Sequence, residues 1–124
     1  MAMDLTEEDS TFRDVTRRWV STECSKQYCR ELERQEHVFP QDLWDKLSAF
    51  GAHGIGIPEE FGGQGGSIVT QALFAREFAR TAAGIGWVWG VTSFSGAKTL
   101  TLCGNERQKA ELLPKTASGE LRTA

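Results

Sequence analysis

Cysteine is scarce and odd in number: Cys24, Cys29 and Cys103 contain no CxxC pair and make no disulfide framework. Cys24 and Cys29 are five apart, so a continuous helix would point them to different sides, as reduced and partly buried thiols. Histidine is scarcer still. His37 and His53 have no ligand partner at HxxxH or HExxH spacing, and no metal site is assigned. Positive charge is in deficit, with 14 Lys and Arg against 17 Asp and Glu and a net charge of −3, which argues against nucleic acid or an anionic membrane as partner. Long apolar runs are missing too. The longest uncharged stretch, Thr81–Ala97, is too short and too polar for a membrane span. MAMDLTEED carries neither a signal peptide nor an Arg-rich transit pattern, so the expectation is a soluble, cytoplasmic chain. Its 124 residues, 40% hydrophobic and 25% charged, suit one ordinary globular domain.

What is present reads as helices. Thr6 with Asp9 caps a first helix whose Phe12, Val15 and Trp19 share a face. Ser21–Glu36 keeps helical character, as one bent helix or two, with Arg30–Glu36 as a solvated face. Pro40 suits the first turn of a helix presenting Leu43, Leu47 and Phe50 beside Trp44, and Gly51 stops it. Ser67 caps a helix from Ile68 to about Ala83 whose charges are Arg76, Glu77 and Arg80, which predicts the interior of a bundle. Gly84–Cys103 follows, with Gly90 and Gly96 inside the expected helix at about 1 kcal/mol each against alanine. Such glycines imply close packing against a backbone or a ligand. Asn105 and Gln108 start a last helix through Leu113, and Pro114 is expected to disrupt it. The pattern predicts an all-α bundle of five to six helices with no strand pair.

Glycine is concentrated in one place. Gly51–Gly66, GAHGIGIPEEFGGQGG, holds seven of the chain's 13 glycines and no basic residue. Pro58 fixes its own φ and pushes Ile57 toward extended backbone, and Ile55, Ile57 and Phe61 are spaced to pin the crossing onto a core. A phosphate cradle does not fit. Gly54 and Gly56 are followed by Glu59 where a dinucleotide fingerprint needs glycine, a helix precedes them, and no GK[ST] ending exists. Glu59 and Glu60 would repel a phosphate there.

Three stretches resemble, in order and spacing, the N-terminal domain of acyl-CoA dehydrogenases. GIGIPEEFGGQG is similar to that family's loop G-x-x-G-I-x-x-P-E-E-x-G-G-x-G. FPQDLWDKL (Phe39–Leu47) resembles its FPxELWxxL helix, and GNERQKAELLPKTASGE (Gly104–Glu120) its G-x-E-x-Q-K-x-x-x-L-P-x-x-A-S-G-E segment. The likeness runs from Leu5 to Glu120 and implies that residues 1–124 are the first of three domains, without the middle β-domain and the C-terminal helical domain.

Family members oxidise the Cα–Cβ bond of an acyl-CoA thioester with FAD as hydride acceptor. Their catalytic glutamate and most flavin contacts lie in the later domains, so the resemblance assigns no catalytic and no cofactor-binding residue here. Glu59, Glu60 and Glu77 are not promoted to fill the gap. It implies inactivity alone, no FAD bound to this chain alone, and acyl-CoA, the remaining domains and homo-oligomeric copies as partners. It also implies that the helix at Gly86–Leu100 walls the acyl tunnel. Trp87, Val91, Phe94 and Lys98 share one helical face and Trp89, Ser93, Ala97 and Leu100 another, with the first face on the tunnel side. The substrate-binding candidates are Trp87, Gly90, Val91 and Phe94, where the bulk of Trp87 and Phe94 implies a shortened tunnel or a flat acyl group. On burial habits alone an aromatic stripe is more often core. Acyl-CoA oxidases, flavin monooxygenases and a stand-alone helical binding or assembly module are the alternatives.

Overall fold

The computed structural model describes residues 4–123. Six helices account for most of them: α1 (Glu7–Glu23), α2 (Lys26–Glu33), α3 (Gln41–Phe50), α4 (Ile68–Phe78), α5 (83–103) and α6 (Glu106–Ser118). Helix α5 is continuous but not uniform. Its α-helical ends, Ala83–Trp89 and Ala97–Cys103, flank a π-helical stretch, Gly90–Gly96, with right-handed backbone at both junctions. No strand occurs among the described residues, only an isolated bridge between Ile55 and Gly65.

The ends are built as their residues dictate. Thr6 Oγ1 accepts from Asp9 N at 3.1 Å while Thr6 N donates back to Asp9 Oδ2 at 3.2 Å. Asn105 and Gln108 make the same reciprocal pair for α6, each bond 2.9 Å. The open question over Ser21–Glu36 resolves as two helices, because Cys24 leaves helical backbone and Ser25 caps α2 by accepting from Tyr28 N at 3.2 Å. That break corrects the expectation for the thiols. Cys24 and Cys29 enter the same core instead of facing apart, with Cys29 Sγ 3.6 Å from the Cys24 carbonyl oxygen.

Two further expectations are corrected. α4 ends at Phe78, not near Ala83, and the chain turns over Ala79–Ala82 before α5. Pro114 lies inside α6, which runs on to Ser118. The missing proline N–H leaves one gap in the ladder, but Leu113 and Thr116 are buried on either side, and tertiary packing outweighs the local loss.

The main core joins α1 to α5 through aromatic contacts. Trp19 stacks on Phe50 at 4.5 Å between centroids, and Phe74 meets Trp89 at 4.6 Å. α4 is central, with Gln71, Leu73, Phe74, Glu77 and Phe78 all buried. Glu77 is the surprise. Its side chain is sealed from solvent, and Arg17 of α1 reaches it with Nε at 3.0 Å and Nη2 at 3.1 Å, joined by Arg80 at 3.4 Å.

The glycine loop is folded on itself. Its backbone passes through φ > 0 at Gly51, Gly56, Gly62, Gly65 and Gly66. Ile55 and Ile57 are buried as expected, and Phe61 packs on a second, smaller cluster with Leu113 and Ala97. At Gly63 a Cβ would overlap the carbonyl oxygen of Ile57. Gly63→Ala should therefore destabilise the chain by more than about 1 kcal/mol, since backbone has to move. Urea unfolding reads this directly, and an unchanged midpoint would disprove the contact.

Candidate functional site

An apolar groove of about 490 Å³ runs between α4 and the first half of α5. Its floor is small, formed by Ala72, Ala75, Ala79 and Gly86, and Trp87, Gly90 and Phe94 stand along the α5 side. Three of the four predicted substrate-binding residues thus line one groove. Val91 does not. The reason lies in the π stretch, where each residue turns through less angle than in an α-helix. Gly90 and Phe94, four residues apart, come into line with each other along the groove, and Val91 lies one step of rotation off that line. Trp87 is 76% exposed, Phe94 is half-buried and also packs on the main core, and Trp89 is buried.

The buried side of α5, from Trp89 at the inner edge of the groove to Ser93, is held from inside. Trp89 Nε1 donates to the Ala52 carbonyl at 3.0 Å, and Ser93 Oγ lies 3.1 Å from His53 Nδ1. His53 Nε2 lies 3.3 Å from the Trp44 carbonyl, and its ring leans on Trp44 at 4.1 Å. Burial pushes the His53 imidazole below its ordinary value, so it stays neutral. A histidine beside a serine invites a nucleophile reading, but both are fully buried, without the access to solvent or ligand that the chemistry needs. Burial likewise pushes the Cys24 thiol up to about 12 and raises Cys29, so neither supplies a thiolate. Among the described residues no group of three His, Cys, Asp or Glu could hold a metal ion.

The amides of the glycine loop are largely committed to the loop itself. Gly54, Gly56, Gly62, Gly63, Gln64 and Gly65 N–H all donate to carbonyls within the loop, at 2.6–3.2 Å. Those six amides are thus not free to hold an anion, and Glu59 and Glu60 add negative charge, so the loop does not fit a dinucleotide pyrophosphate. Other clefts exist. One of about 610 Å³ between α1 and the glycine loop has a largely polar rim of Thr6, Glu8, Asp9, Gln64 and Ser67, and one of about 250 Å³ lies under the α2–α3 connection. Sequence reasoning missed both, and it missed the buried Glu77, whose spacing from Arg80 was visible but whose partner Arg17 is sixty positions away.

Comparison with known proteins identifies the class. The model for "Acyl-CoA dehydrogenase, N-terminal domain" matches residues 6–120. The chain belongs to the acyl-CoA dehydrogenase family, and to its N-terminal domain. An acyl-CoA dehydrogenase of Bacillus subtilis (strain 168) is 30% identical over 95% of this chain and 31% of its own length. The (2S)-methylsuccinyl-CoA dehydrogenase of Cereibacter sphaeroides is 32% identical over 97% of this chain and 22% of its own. Among solved structures, an acyl-CoA dehydrogenase complexed with FAD from Bacillus anthracis superposes with a TM-score of 0.83 at 31% identity, covering 94% of this chain and 20% of that one. The chain therefore spans under a third of the length of these relatives.

Proposed function

We propose that this chain is the first domain of an FAD-dependent enzyme that introduces a double bond between Cα and Cβ of an acyl-CoA thioester. Its own part is to wall the acyl group. The observation that carries the reading is the groove between α4 and α5, apolar and lined by Trp87, Gly90 and Phe94, in a domain whose relatives include acyl-CoA dehydrogenases. When bound, the flavin supplies the hydride acceptor, and it and the catalytic base belong to the later two domains. This chain's residues bind and shape: Trp87 and Phe94 exclude water from the acyl group and limit its length, while Gly90 leaves room between them. The remaining domains cover the groove, the enzyme is a cytoplasmic homo-oligomer acting in lipid metabolism, and the isolated chain is colourless.

Anaerobic titration of the full-length protein with butyryl-, octanoyl- and isovaleryl-CoA should bleach its flavin absorbance with at least one of them. No bleaching with any thioester would sink the proposal. Phe94→Ala should move kcat/KM toward the longer chain by about tenfold or more, the usual worth of space for a methylene or two. An unchanged preference would remove Phe94 from the wall.

A further inference from the structure

Four threonines inside the helices of this chain behave in one way, and Thr92 in another. The hydroxyls of Thr11, Thr99, Thr101 and Thr116 each donate to the carbonyl four residues back in their own helix, at 2.7–2.9 Å. Thr92, fully buried in the π stretch, turns its hydroxyl outward to another segment. It donates to the Thr123 carbonyl at 3.0 Å and accepts from the Thr123 N–H at 3.2 Å. One side chain thus serves both backbone groups of a residue that has left the last helix. Gly96, one turn on, makes room for this approach, because a Cβ there would overlap Thr123 Oγ1.

The segment so held is pinned along its length. Trp44 Nε1 donates to the Gly119 carbonyl at 2.8 Å, Leu121 N donates to Lys115 O at 3.0 Å, and the Arg122 guanidinium lies 4.1 Å from the Phe39 ring centroid. The chain therefore departs along the side of α5 away from Gly90 and Phe94. The helix that walls the groove on one face grips the outgoing backbone on the other.

We infer that Thr92 is a positioning residue: its hydroxyl fixes the backbone at Thr123 against α5 and so sets where the following domain stands relative to the groove. The inference rests on the functional reading above, since it gives that separation its meaning. The reacting thioester is not touched by Thr92.

The test compares Thr92→Val, which keeps the shape without the hydroxyl, and Thr92→Ser, which keeps the hydroxyl, in the full-length protein. Hydrogen exchange of peptides covering 119–123 and steady-state rates with octanoyl-CoA are both read. In Thr92→Val the Thr123 amide should exchange about tenfold faster, the scale of one lost hydrogen bond. Its kcat should fall by about tenfold with KM changed less than about threefold, as expected when reacting groups are displaced without loss of binding. Thr92→Ser should restore both. Unchanged exchange in Thr92→Val, faster exchange with unaltered kcat, or a serine variant as impaired as the valine would each overturn the inference. A wild-type enzyme that turns over none of the thioesters tested would instead overturn the functional reading and the positioning role with it, while exchange would still report the hydroxyl's grip.

Discussion

Replacing Trp89 with alanine should cost about 3–5 kcal/mol of stability, while Trp87→Ala, two residues earlier on the same helix, should change it by less than about 0.5 kcal/mol. The contrast follows from position alone. Trp89 is 2% exposed, its ring meets Phe74 at 4.6 Å, and its indole N–H holds the Ala52 carbonyl at 3.0 Å. Removing it opens a cavity between α4 and α5 and strands a buried acceptor. Trp87 lies over the groove with 76% of its surface in water. Denaturant titrations of the two variants settle the matter, and equal losses would mean that Trp87 is core after all. A second readout separates them further: Trp87→Ala in the full-length enzyme should alter acyl preference, whereas Trp89→Ala should lower yield and melting temperature.

Arg17→Met should lower the melting temperature at pH 7 by on the order of 10 °C, the consequence of leaving a buried carboxylate with a single weaker partner. In the native chain the hydrogen-bonded Arg17 guanidinium holds the Glu77 carboxyl below its ordinary 4.5, against the opposing effect of burial. A depressed native value means that Glu77 stabilises the fold above about pH 4.5 and that this contribution fades as pH falls through the native value. Without Arg17, only Arg80 and Arg76 oppose the effect of burial, so charge on Glu77 stabilises the fold far less at neutral pH. The deficit of Arg17→Met should thus be largest near pH 7 and shrink as pH falls through 4.5 and the depressed native value, below which the carboxyl is neutral in both the folded and unfolded chain. Arg17→Met/Glu77→Leu should recover most of the loss, because neither charge remains buried without its partner. A deficit independent of pH would show that the arginine acts only through its aliphatic stem. His53 adds to the acid sensitivity with the same sign. Its native value lies below 6.5, so the unfolded chain takes up a proton that the fold refuses, and stability declines as pH falls from 6.5 toward the native value.

Much of this architecture was legible in the residues. The capping pairs at Thr6–Asp9 and Asn105–Gln108, the glycine stop at Gly51 and the buried helix after Ser67 are local signals with local causes. Motif order pointed to the family, which the domain match over residues 6–120 shows. The groove lining was legible at Trp87, Gly90 and Phe94 but not at Val91, because the reading assumed 3.6 residues per turn throughout α5. No residue type announces a π stretch. The Arg17–Glu77 pair was hidden for a different reason: no local spacing links residues sixty apart, and only the packing of α1 on α4 brings them together. Pro114 misled because proline's local cost is real but was overridden by burial on both sides.

The π stretch carries a consequence for chain length. Its seven residues, Gly90–Gly96, wind through about the same rotation that six would make in an α-helix, so the flanking turns keep the phase of an uninterrupted rod. Deleting Val91, which touches neither the groove nor the His53 side, should let the ladder close up while Trp89 and Ala97 still face inward. Losing one residue from the middle of α4 has no such remedy, because everything beyond would swing by about 100° and turn Phe74 and Phe78 toward water. Within this bundle, tolerance to single-residue deletion should be highest in the helix that walls the groove.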